Sequence, residues 1–340
     1  MIGYYIHHHG FGHLARAISI SRRIRQPVVA LTSLQIPEPH PFAAVITLPR
    51  DDAEPVQDPT AHGVLHWAPR HHPGYSDRMH RLAAWVAQDR PQACVVDVSV
   101  EVSVLLRVLG IPIVVMAVPG DRYDPPHELV HRLADHIVAA WPRKCATPAW
   151  LRAHEQKTSY VGGISRFDGR PRLSTEAGRP EATGSFRSRA LVFGGAGGAL
   201  GGDKAQWRTS CPDMQWDTIG GMSGSWREDP WPQLCAADVV ISHAGQGCVA
   251  DIAAARRPAV LIAQPRPYRE QEATAAMLVR LGLAVAVRTW PDEQQWPDLI
   301  GQARAIDPAR WVHWQVAGAA ARAAAAIESV AERTSRRMAR

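Results

Sequence analysis

The residues best suited to chemistry near the N-terminus form a glycine-rich turn that contains a histidine. The run Gly10-Phe11-Gly12-His13-Leu14-Ala15 fits the pattern G-x-G-x-x-A and lies between a strand-like segment and a helical pattern. At a helix N-terminus the positive partial charge of the backbone amides favours the neutral form of His13. A neutral imidazole can act as a general base, although on spacing alone His13 could equally cap the helix or pack against it.

The same turn does not fit a dinucleotide site. Such a site needs an acidic residue about 20 positions later to hold the ribose. The first acidic residue of this chain is Glu38, which follows the second predicted strand. Two interpretations remain: a tight turn that needs glycine for its backbone geometry, or a turn that admits a substrate to the helix N-terminus.

Asp97 and a run of histidines are further candidates for catalysis or metal binding. Asp97 ends the apolar strand Cys94–Val96 and would face a cleft as a second candidate base, unless it caps the next helix. The run His7-His8-His9 is predicted to continue the first strand, in which successive side chains point to opposite faces and cannot converge on one ion. No Asp-x-Asp sequence is present. We therefore expect no metal site.

A second glycine-rich loop follows the predicted strand Ala190–Phe193. It contains Gly194, Gly195 and Gly197 among six glycines in nine residues. Backbone amides without side chains can approach a phosphate or a sugar closely. The loop lacks the register of a Walker loop. We expect it to contribute to a donor site; the alternative is a flexible surface turn.

The most informative segment is Ala236–Ala276. The strand Val239–Ser242 runs into a glycine turn and a helix, and the amides near Gly245–Gly247 suit a diphosphate. Asp251, one helical turn further on, could accept both hydroxyls of a ribose. The strand Ala259–Ile262 ends in a proline-rich loop that carries Glu270 and Gln271, a pair suited to sugar hydroxyls.

Short apolar runs alternate with helical patterns in both halves of the chain, which predicts an α/β fold with parallel sheets. The segment 165–189 is rich in Arg, Pro, Ser, Gly and Thr, as linkers are. We therefore expect a Rossmann-like N-terminal domain at 1–164, a linker at 165–189, a donor-binding domain at 190–311, and a C-terminal helix with a basic tail at 312–340. A cleft between two such domains is a natural ligand site.

The composition excludes several classes of protein. Of 340 residues 46% are hydrophobic, which is enough for a buried core and too many for a disordered chain. Five cysteines without Cys-x-x-Cys spacing indicate reduced thiols in the cytoplasm. The start of the chain does not resemble a signal peptide, and Ile111–Val118, the longest strongly apolar run, is far too short to span a membrane. The net charge of +6 has no accompanying nucleic-acid recognition motif.

The segment Ala236–Ala276 resembles the C-terminal donor-binding domain of glycosyltransferase family 28, the MurG-like family. That resemblance implies a GT-B architecture: two Rossmann-like domains that face each other across a cleft, with the last helix crossing back to the N-terminal domain. Gly10, Gly12, His13 and Arg16 also resemble the first loop of related nucleotide-sugar hydrolases and would lie on the acceptor side.

The resemblance assigns roles to individual positions of the donor segment. His243 would take the place of a basic residue near the phosphates, and Cys248 stands where a threonine is usual. Asp251 would replace the ribose-binding glutamate with a shorter arm. The remaining positions carried over are Gly245, Gln246 and Gly247 for the diphosphate, Glu270 and Gln271 for the donor sugar, and Trp226 and Arg227 for the uracil.

The expected function is transfer of a hexosyl group from a nucleotide diphosphate sugar, preferably UDP-linked, to an acceptor hydroxyl, with inversion and without metal. No cofactor is expected beyond the nucleotide-sugar co-substrate. The base is expected to be His13 or, as second choice, Asp97. The alternatives are a nucleotide-sugar hydrolase and a non-catalytic nucleotide-sugar-binding protein, with an epimerase less well supported. No motif in the sequence indicates the acceptor, which is either lipid-linked or a small molecule. The basic tail could contact an anionic membrane or be solvated.

Overall fold

The fold was analysed in a computed structural model of the chain. The structure describes residues 1–8, 10–52, 56–173, 188–195, 207, 209–220 and 227–338, with side chains up to 334. Two parallel β-sheets, one in each half of the chain, organise these residues. The predicted α/β class and GT-B arrangement of two doubly wound domains are confirmed.

The N-terminal sheet has seven strands in the order β3-β2-β1-β4-β5-β6-β7. Strands β1, β2, β4 and β5 are buried along their whole length, as expected for a parallel sheet covered by helices on both faces. The strands are β1 (Ile2–Ile6), β2 (Val28–Thr32), β3 (Ala44–Thr47), β4 (Ala93–Asp97), β5 (Ile113–Ala117), β6 (His136–Ala139) and β7 (Thr158–Tyr160), and the helices are α1 (Phe11–Ser21), α2 (Pro73–Asp89), α3 (Val100–Val108), α4 (Pro125–Leu133) and α5 (Ala149–Arg152).

The C-terminal sheet has five strands in the order β12-β11-β10-β8-β9. Four tryptophans, Trp207, Trp216, Trp290 and Trp296, pack against one another beside it. The strands are β8 (Ser188–Phe193), β9 (Met214–Ile219), β10 (Val239–His243), β11 (Ala259–Ile262) and β12 (Val285–Val287), and the helices are α6 (Trp231–Ala236), α7 (Gln246–Ala255), α8 (Glu270–Arg280), α9 (Trp296–Ala305) and α10 (Ala319–Met338).

The last helix, α10, packs on the N-terminal domain. Its apolar face, which includes Ala323 and Ile327, joins Leu14, Ala17 and Ile20 of α1 in one buried cluster. The helix begins at Ala319 and not at Val312, where the alanine-rich pattern had placed it. A 3₁₀ segment, Pro308–Trp314, and two positive φ angles, 55° at Gln315 and 73° at Gly318, separate it from the preceding chain. None of the described helices combines the length and apolarity needed to cross a membrane.

Candidate functional site

Asp97, His13 and Arg16 form a hydrogen-bonded group at the carboxyl end of β4. Asp97 is fully buried, and its Oδ1 lies 3.0 Å from Nδ1 of His13. Arg16 donates from Nε to Oδ2 of Asp97 at 3.1 Å and from Nη2 to Oδ1. Burial alone would raise the pKa of Asp97, but Arg16 and His13 hold it well below its usual value.

This arrangement decides how the two candidate bases can act. His13 Nδ1 lies 3.0 Å from Asp97 Oδ1 and 3.2 Å from Arg16 Nη2. The ionised carboxylate can only accept, so a proton on Nδ1 completes the shorter bond, and Nε2 is then the nitrogen available to a substrate. The His13 side chain is 24% exposed, whereas that of Asp97 is 0% exposed. Helix α3 is capped by Ser99, so the alternative of Asp97 as its cap is wrong. Asp97 is placed to orient His13, not to reach a substrate.

The glycine turn before α1 determines where His13 stands. Gly10 is the residue before the helix and has φ 91° and ψ 140°, a conformation that is strained for any residue with a Cβ. The helix starts at Phe11, with four residues between it and the end of β1. No side chain caps α1, so the alternative of His13 as a cap is not found. His13 lies in the first turn of the helix and extends towards Asp97.

The N-termini of α1 and α7 meet across the cleft between the two domains. Arg16 Nη1 donates to Oε1 of Gln246 at 3.1 Å. A Cβ placed on Gly247 would lie 4.0 Å from Cα of Gly12. Gly245 is the residue before α7. Two glycine turns, one from each domain, therefore face each other, with a histidine–aspartate pair on one side and the N-terminal amides of α7 on the other.

His243 ends β10 beside this turn, but it is not a basic residue when no ligand is bound. Burial, with a smaller contribution from Arg266, lowers the pKa of His243 to about 4. The imidazole is therefore neutral near pH 7, and the expected positive charge is missing from that side chain. The positive potential comes instead from the α7 amides and from the exposed Arg266, which the sequence analysis did not single out.

Asp251 does not present its carboxylate to the cleft, contrary to the expectation of a ribose contact. The residue is 5% exposed. Oδ1 accepts from Ser165 Oγ at 2.7 Å, and Oδ2 accepts from Arg166 Nε at 3.0 Å. Burial raises the pKa of Asp251 despite these partners. The shorter aspartate arm thus anchors α7 to the start of the predicted linker, and a ribose would have to share these bonds.

Glu270 and Gln271 begin α8, on the side of the C-terminal domain that faces the N-terminal domain. Glu270 Oε2 lies 3.6 Å from Nη2 of Arg122, which follows β5. Gln271 is buried, and its Oε1 accepts from the backbone amide of Gln264 at 3.0 Å. Glu270 therefore stands at the cleft, while Gln271 holds the loop that leads to it.

The other donor-side residues are only partly described. Gly194 and Gly195 follow β8, and a Cβ on Gly195 would meet nothing within 4 Å. Arg227 is exposed. Burial raises the pKa of Cys248 to about 11, so its thiol stays protonated. Gly197 and Trp226 lie outside the described residues, and their predicted contacts with the donor stay predictions.

A cavity of about 400 Å³ in the N-terminal domain is a feature that no sequence motif indicated. Its walls are mostly apolar and include Tyr5, Trp67, Tyr75 and several valines. His7 also lines it, and the His7 ring lies 5.9 Å from that of His13. Tyr268, from the C-terminal domain, closes part of the cavity. The cavity thus adjoins the histidine–aspartate pair and is shared between the domains.

The histidine run at positions 7–9 is not arranged as predicted. Strand β1 ends at Ile6, so the alternation of strand side chains does not extend to His7 and His8. Their rings are stacked, with centroids 4.9 Å apart, and His9 lies outside the described residues. Within the part of the chain that the structure describes, one group has ligand atoms close enough for a metal: His66, Asp124 and His127, within 4.8 Å of one another.

Comparison with known proteins gives a family match for the donor segment. Residues 230–290 match the family model of the glycosyltransferase family 28 C-terminal domain. No curated protein sequence matches the chain.

Solved structures resemble almost the whole chain at low identity. The glycosyltransferase of kitacinnamycin is 17% identical, with a TM-score of 0.66 over 98% of each chain. Acinetobacter baumannii MurG is 15% identical, with a TM-score of 0.57 over 96% of this chain and 99% of its own. Arabidopsis thaliana UGT89C1, solved with UDP, is 12% identical, with a TM-score of 0.66 over 98% of this chain and 99% of its own. The chain therefore has the two-domain fold of these GT-B glycosyltransferases, and its residues 230–290 match the family 28 C-terminal domain.

Proposed function

We propose that the protein transfers a glycosyl group from a nucleotide diphosphate sugar, preferably UDP-linked, to an acceptor hydroxyl with inversion at the anomeric carbon. The observation that carries this proposal is the meeting of α1 and α7 across the cleft. It sets the His13–Asp97 pair opposite the amides at Gly245–Gly247. A base on one side of the sugar and a diphosphate-binding turn on the other suit a displacement that inverts the anomeric carbon.

His13 acts as the base in this proposal. Nε2 takes the proton of the acceptor hydroxyl as its oxygen attacks the anomeric carbon. The ring then carries a positive charge, which the ionised Asp97 stabilises through Nδ1, 3.0 Å away. Arg16 keeps Asp97 ionised and, through Gln246, ties this pair to the donor side.

The leaving diphosphate is stabilised by helix amides and not by a cation. Negative charge builds on the phosphates as the glycosidic bond breaks, and the N-terminus of α7 lies where preorganised N–H groups would receive it. His243 is neutral before the donor binds. A diphosphate beside it would raise its pKa and favour its protonation. Gly195 adds open backbone on the same side, and Glu270 would bind the sugar hydroxyls.

The acceptor in this proposal is a compact molecule bound in the cavity beside His7. A hydrolase needs room for one water, whereas this cavity of about 400 Å³ has the size of a small-molecule site. Its volume and apolar walls thus favour transfer over hydrolysis and a small acceptor over an extended lipid-linked one. Peripheral membrane contact by the basic tail stays a prediction, because the side chains beyond 334 are outside the described residues.

The proposal is tested by binding and turnover together. UDP-, dTDP- and GDP-sugars are screened by thermal shift, because a ligand that binds only the folded state raises the melting temperature with occupancy. The stabilising donor is then incubated with a panel of small hydroxylated aromatic acceptors in EDTA, and nucleotide release is followed with the anomeric configuration of the product. We expect acceptor-dependent release with inversion. Release without any acceptor would indicate the hydrolase, and no binding of any nucleotide sugar would refute the donor site.

A further inference from the structure

A second histidine–aspartate group, separate from His13 and Asp97, lies in the wall of the acceptor cavity. Asp124 Oδ1 lies 2.5 Å from His127 Nδ1, and Asp124 Oδ2 lies 2.6 Å from His66 Nε2. Arg122 Nη1 lies 3.0 Å from His127 Nε2. His66, His127 and Arg122 all line the cavity. None of these four residues was singled out by the sequence.

The chemistry of Arg122 determines the direction of every hydrogen bond in this group. A guanidinium only donates, so His127 Nε2 accepts and the proton of His127 sits on Nδ1. Burial, followed by Arg122, lowers the pKa of His127 to about 4, which keeps this ring neutral. His127 then donates to Asp124. Burial alone would raise the pKa of Asp124, but its bonds with His66 and His127 lower it, so the carboxylate is ionised.

The direction of these bonds leaves one unused acceptor in the group. Asp124 can only accept, so His66 donates from Nε2, and Nδ1 is the ring nitrogen that carries a lone pair when the ring holds one proton. Among the described residues, Nδ1 of His66 has no hydrogen-bond partner. The His66 side chain is 28% exposed and lines the cavity. Its backbone is fixed as well, because His66 N and Trp67 N both donate to Glu101 Oε1.

The same bonds argue against a metal at this group. A cation on His127 Nδ1 would displace the proton that the Arg122 bond requires there. It would also lie beside the buried guanidinium of Arg122, whose side chain is 5% exposed. Arg122 in turn packs over the ring of Tyr268 at 4.5 Å. The hydrogen-bonded arrangement therefore pairs both ring nitrogens of His127 and both oxygens of Asp124 without an ion.

We propose that His66 binds a hydroxyl group of the acceptor through Nδ1, so that the acceptor is a compact, largely apolar molecule with at least two hydroxyls, one for His13 and one for His66. Tyr268 lies over this position, with its ring 5.5 Å from that of His66 and 4.6 Å from that of His127. The backbone holds it there: Asp121 N donates to Tyr268 O at 2.8 Å, and a Cβ on Gly120, at φ 111°, would collide with the same oxygen. The inference rests on the proposed acceptor cavity but does not require the transfer reaction.

The test compares two rigid probes, 2-naphthol and 2,6-dihydroxynaphthalene, by calorimetry without any donor. One additional hydrogen bond to a partly buried acceptor should make the dihydroxy probe bind about five- to tenfold tighter. His66→Phe keeps a ring but lacks the acceptor, so the two probes should bind it equally. His66→Gln can donate to Asp124 and still offer an oxygen, and it should keep part of the preference. His62→Ala, in the same loop with an 81% exposed side chain, is the matched control.

A direct measurement covers the case in which a His66 variant does not fold. In the unaltered protein, the ¹⁵N resonance of His66 Nδ1 should shift on addition of the dihydroxy probe and not with 2-naphthol. Absence of that shift, equal binding of both probes to the unaltered protein, or failure of both to bind overturns the proposal. So does Zn²⁺ binding that His66→Phe abolishes, which would make the group a metal centre. Failure of the proposed function would give a different result, namely no binding of any nucleotide sugar or no glycosyl transfer.

Discussion

At the scale of residues, the neighbours of each histidine decide its protonation and its hydrogen bonds. His13 and His66 each pair with an ionised aspartate and keep one ring nitrogen for a ligand. His127 and His243 are neutralised by burial and by nearby arginines. Position in the sequence distinguishes none of these four environments, because burial and partners set which nitrogen carries a proton.

Replacement of His13 tests the assignment of the base. His13→Ala should lower kcat by about 10²- to 10⁴-fold, the usual contribution of a general base. Binding of the donor should be unchanged, because the diphosphate contacts lie on the other domain. Turnover and donor thermal shifts measured side by side separate the two effects. His62→Ala should behave as the unaltered protein, and a kcat within threefold in His13→Ala would remove His13 from the mechanism.

At the scale of elements, the site is built where strands end and helices begin. In a parallel sheet the carboxyl ends of neighbouring strands lie at one edge, and the following helices direct their N-termini there. Asp97 reaches that edge from β4 and His13 from the turn after β1, whereas His243 and Gly245 reach the facing edge from β10. The glycine turns allow each helix to start close enough to its strand.

The turn before α1 provides a matched pair of substitutions. Gly10→Ala forces a Cβ into a backbone with φ 91° and should cost about 1–3 kcal/mol of stability. Gly12→Ala adds a methyl group in open space within the helix and should be neutral or stabilise by up to about 1 kcal/mol. Urea denaturation of both variants measures the difference. Equal stabilities would mean that the turn does not hold this conformation.

At the scale of the whole molecule, two connections keep the domains in register across the cleft. Ser165 and Arg166 hold Asp251 of α7, and α10 returns to pack against α1. Arg16–Gln246 and Arg122–Glu270 join the facing edges directly. The position of His13 relative to the donor turn therefore depends on both the domain packing and these direct contacts.

The packing of α10 can be separated from its surface charges. Ile327 is fully buried between the helices, so Ile327→Ala should cost about 2–5 kcal/mol of stability. Glu332 is 49% exposed and pairs with Arg25 at 3.5 Å, so Glu332→Ala should cost less than about 1 kcal/mol. Chemical denaturation compares the two variants. A larger loss for Glu332→Ala would contradict the view that apolar packing holds this helix.

Buried neutral histidines should make the molecule sensitive to acid. Burial lowers the pKa of His131 to about 3, whereas in the unfolded chain it titrates near 6.5. Between these values the unfolded state binds more protons, so stability should fall as the pH drops below about 6.5 and level off near 3. His131→Phe keeps the stack on Trp150 and should make this decline shallower. Melting temperatures of both proteins between pH 8 and 4 measure this decline. If they depend on pH to the same extent, His131 is excluded as a cause of the decline.

The sequence predicted the elements that local patterns encode. Strands β1, β2, β4, β5 and β8–β12 follow from apolar runs, and helices α1, α2, α3, α7 and α8 follow from helical periodicity. The sequence did not predict helices α4, α5, α6 and α9 or strands β6 and β7. The end of β1 and the start of α10 were misplaced, because a short polar run and an alanine-rich run do not by themselves show where the backbone turns. Tertiary contacts, such as those of α10 with α1, settle these boundaries.

The sequence by itself determined the glycine turns, their place between strand and helix, and the family 28 character of the donor segment, since these depend on residues adjacent in the chain. Only the tertiary structure decided that Asp97 orients His13, that Asp251 anchors the linker, and that His66, His127 and Arg122 share the wall of one cavity. These outcomes depend on burial and on proton sharing between side chains up to 86 residues apart, which no local pattern records. The physical reason is that a titratable group takes its role from the charges and hydrogen bonds that folding brings to it.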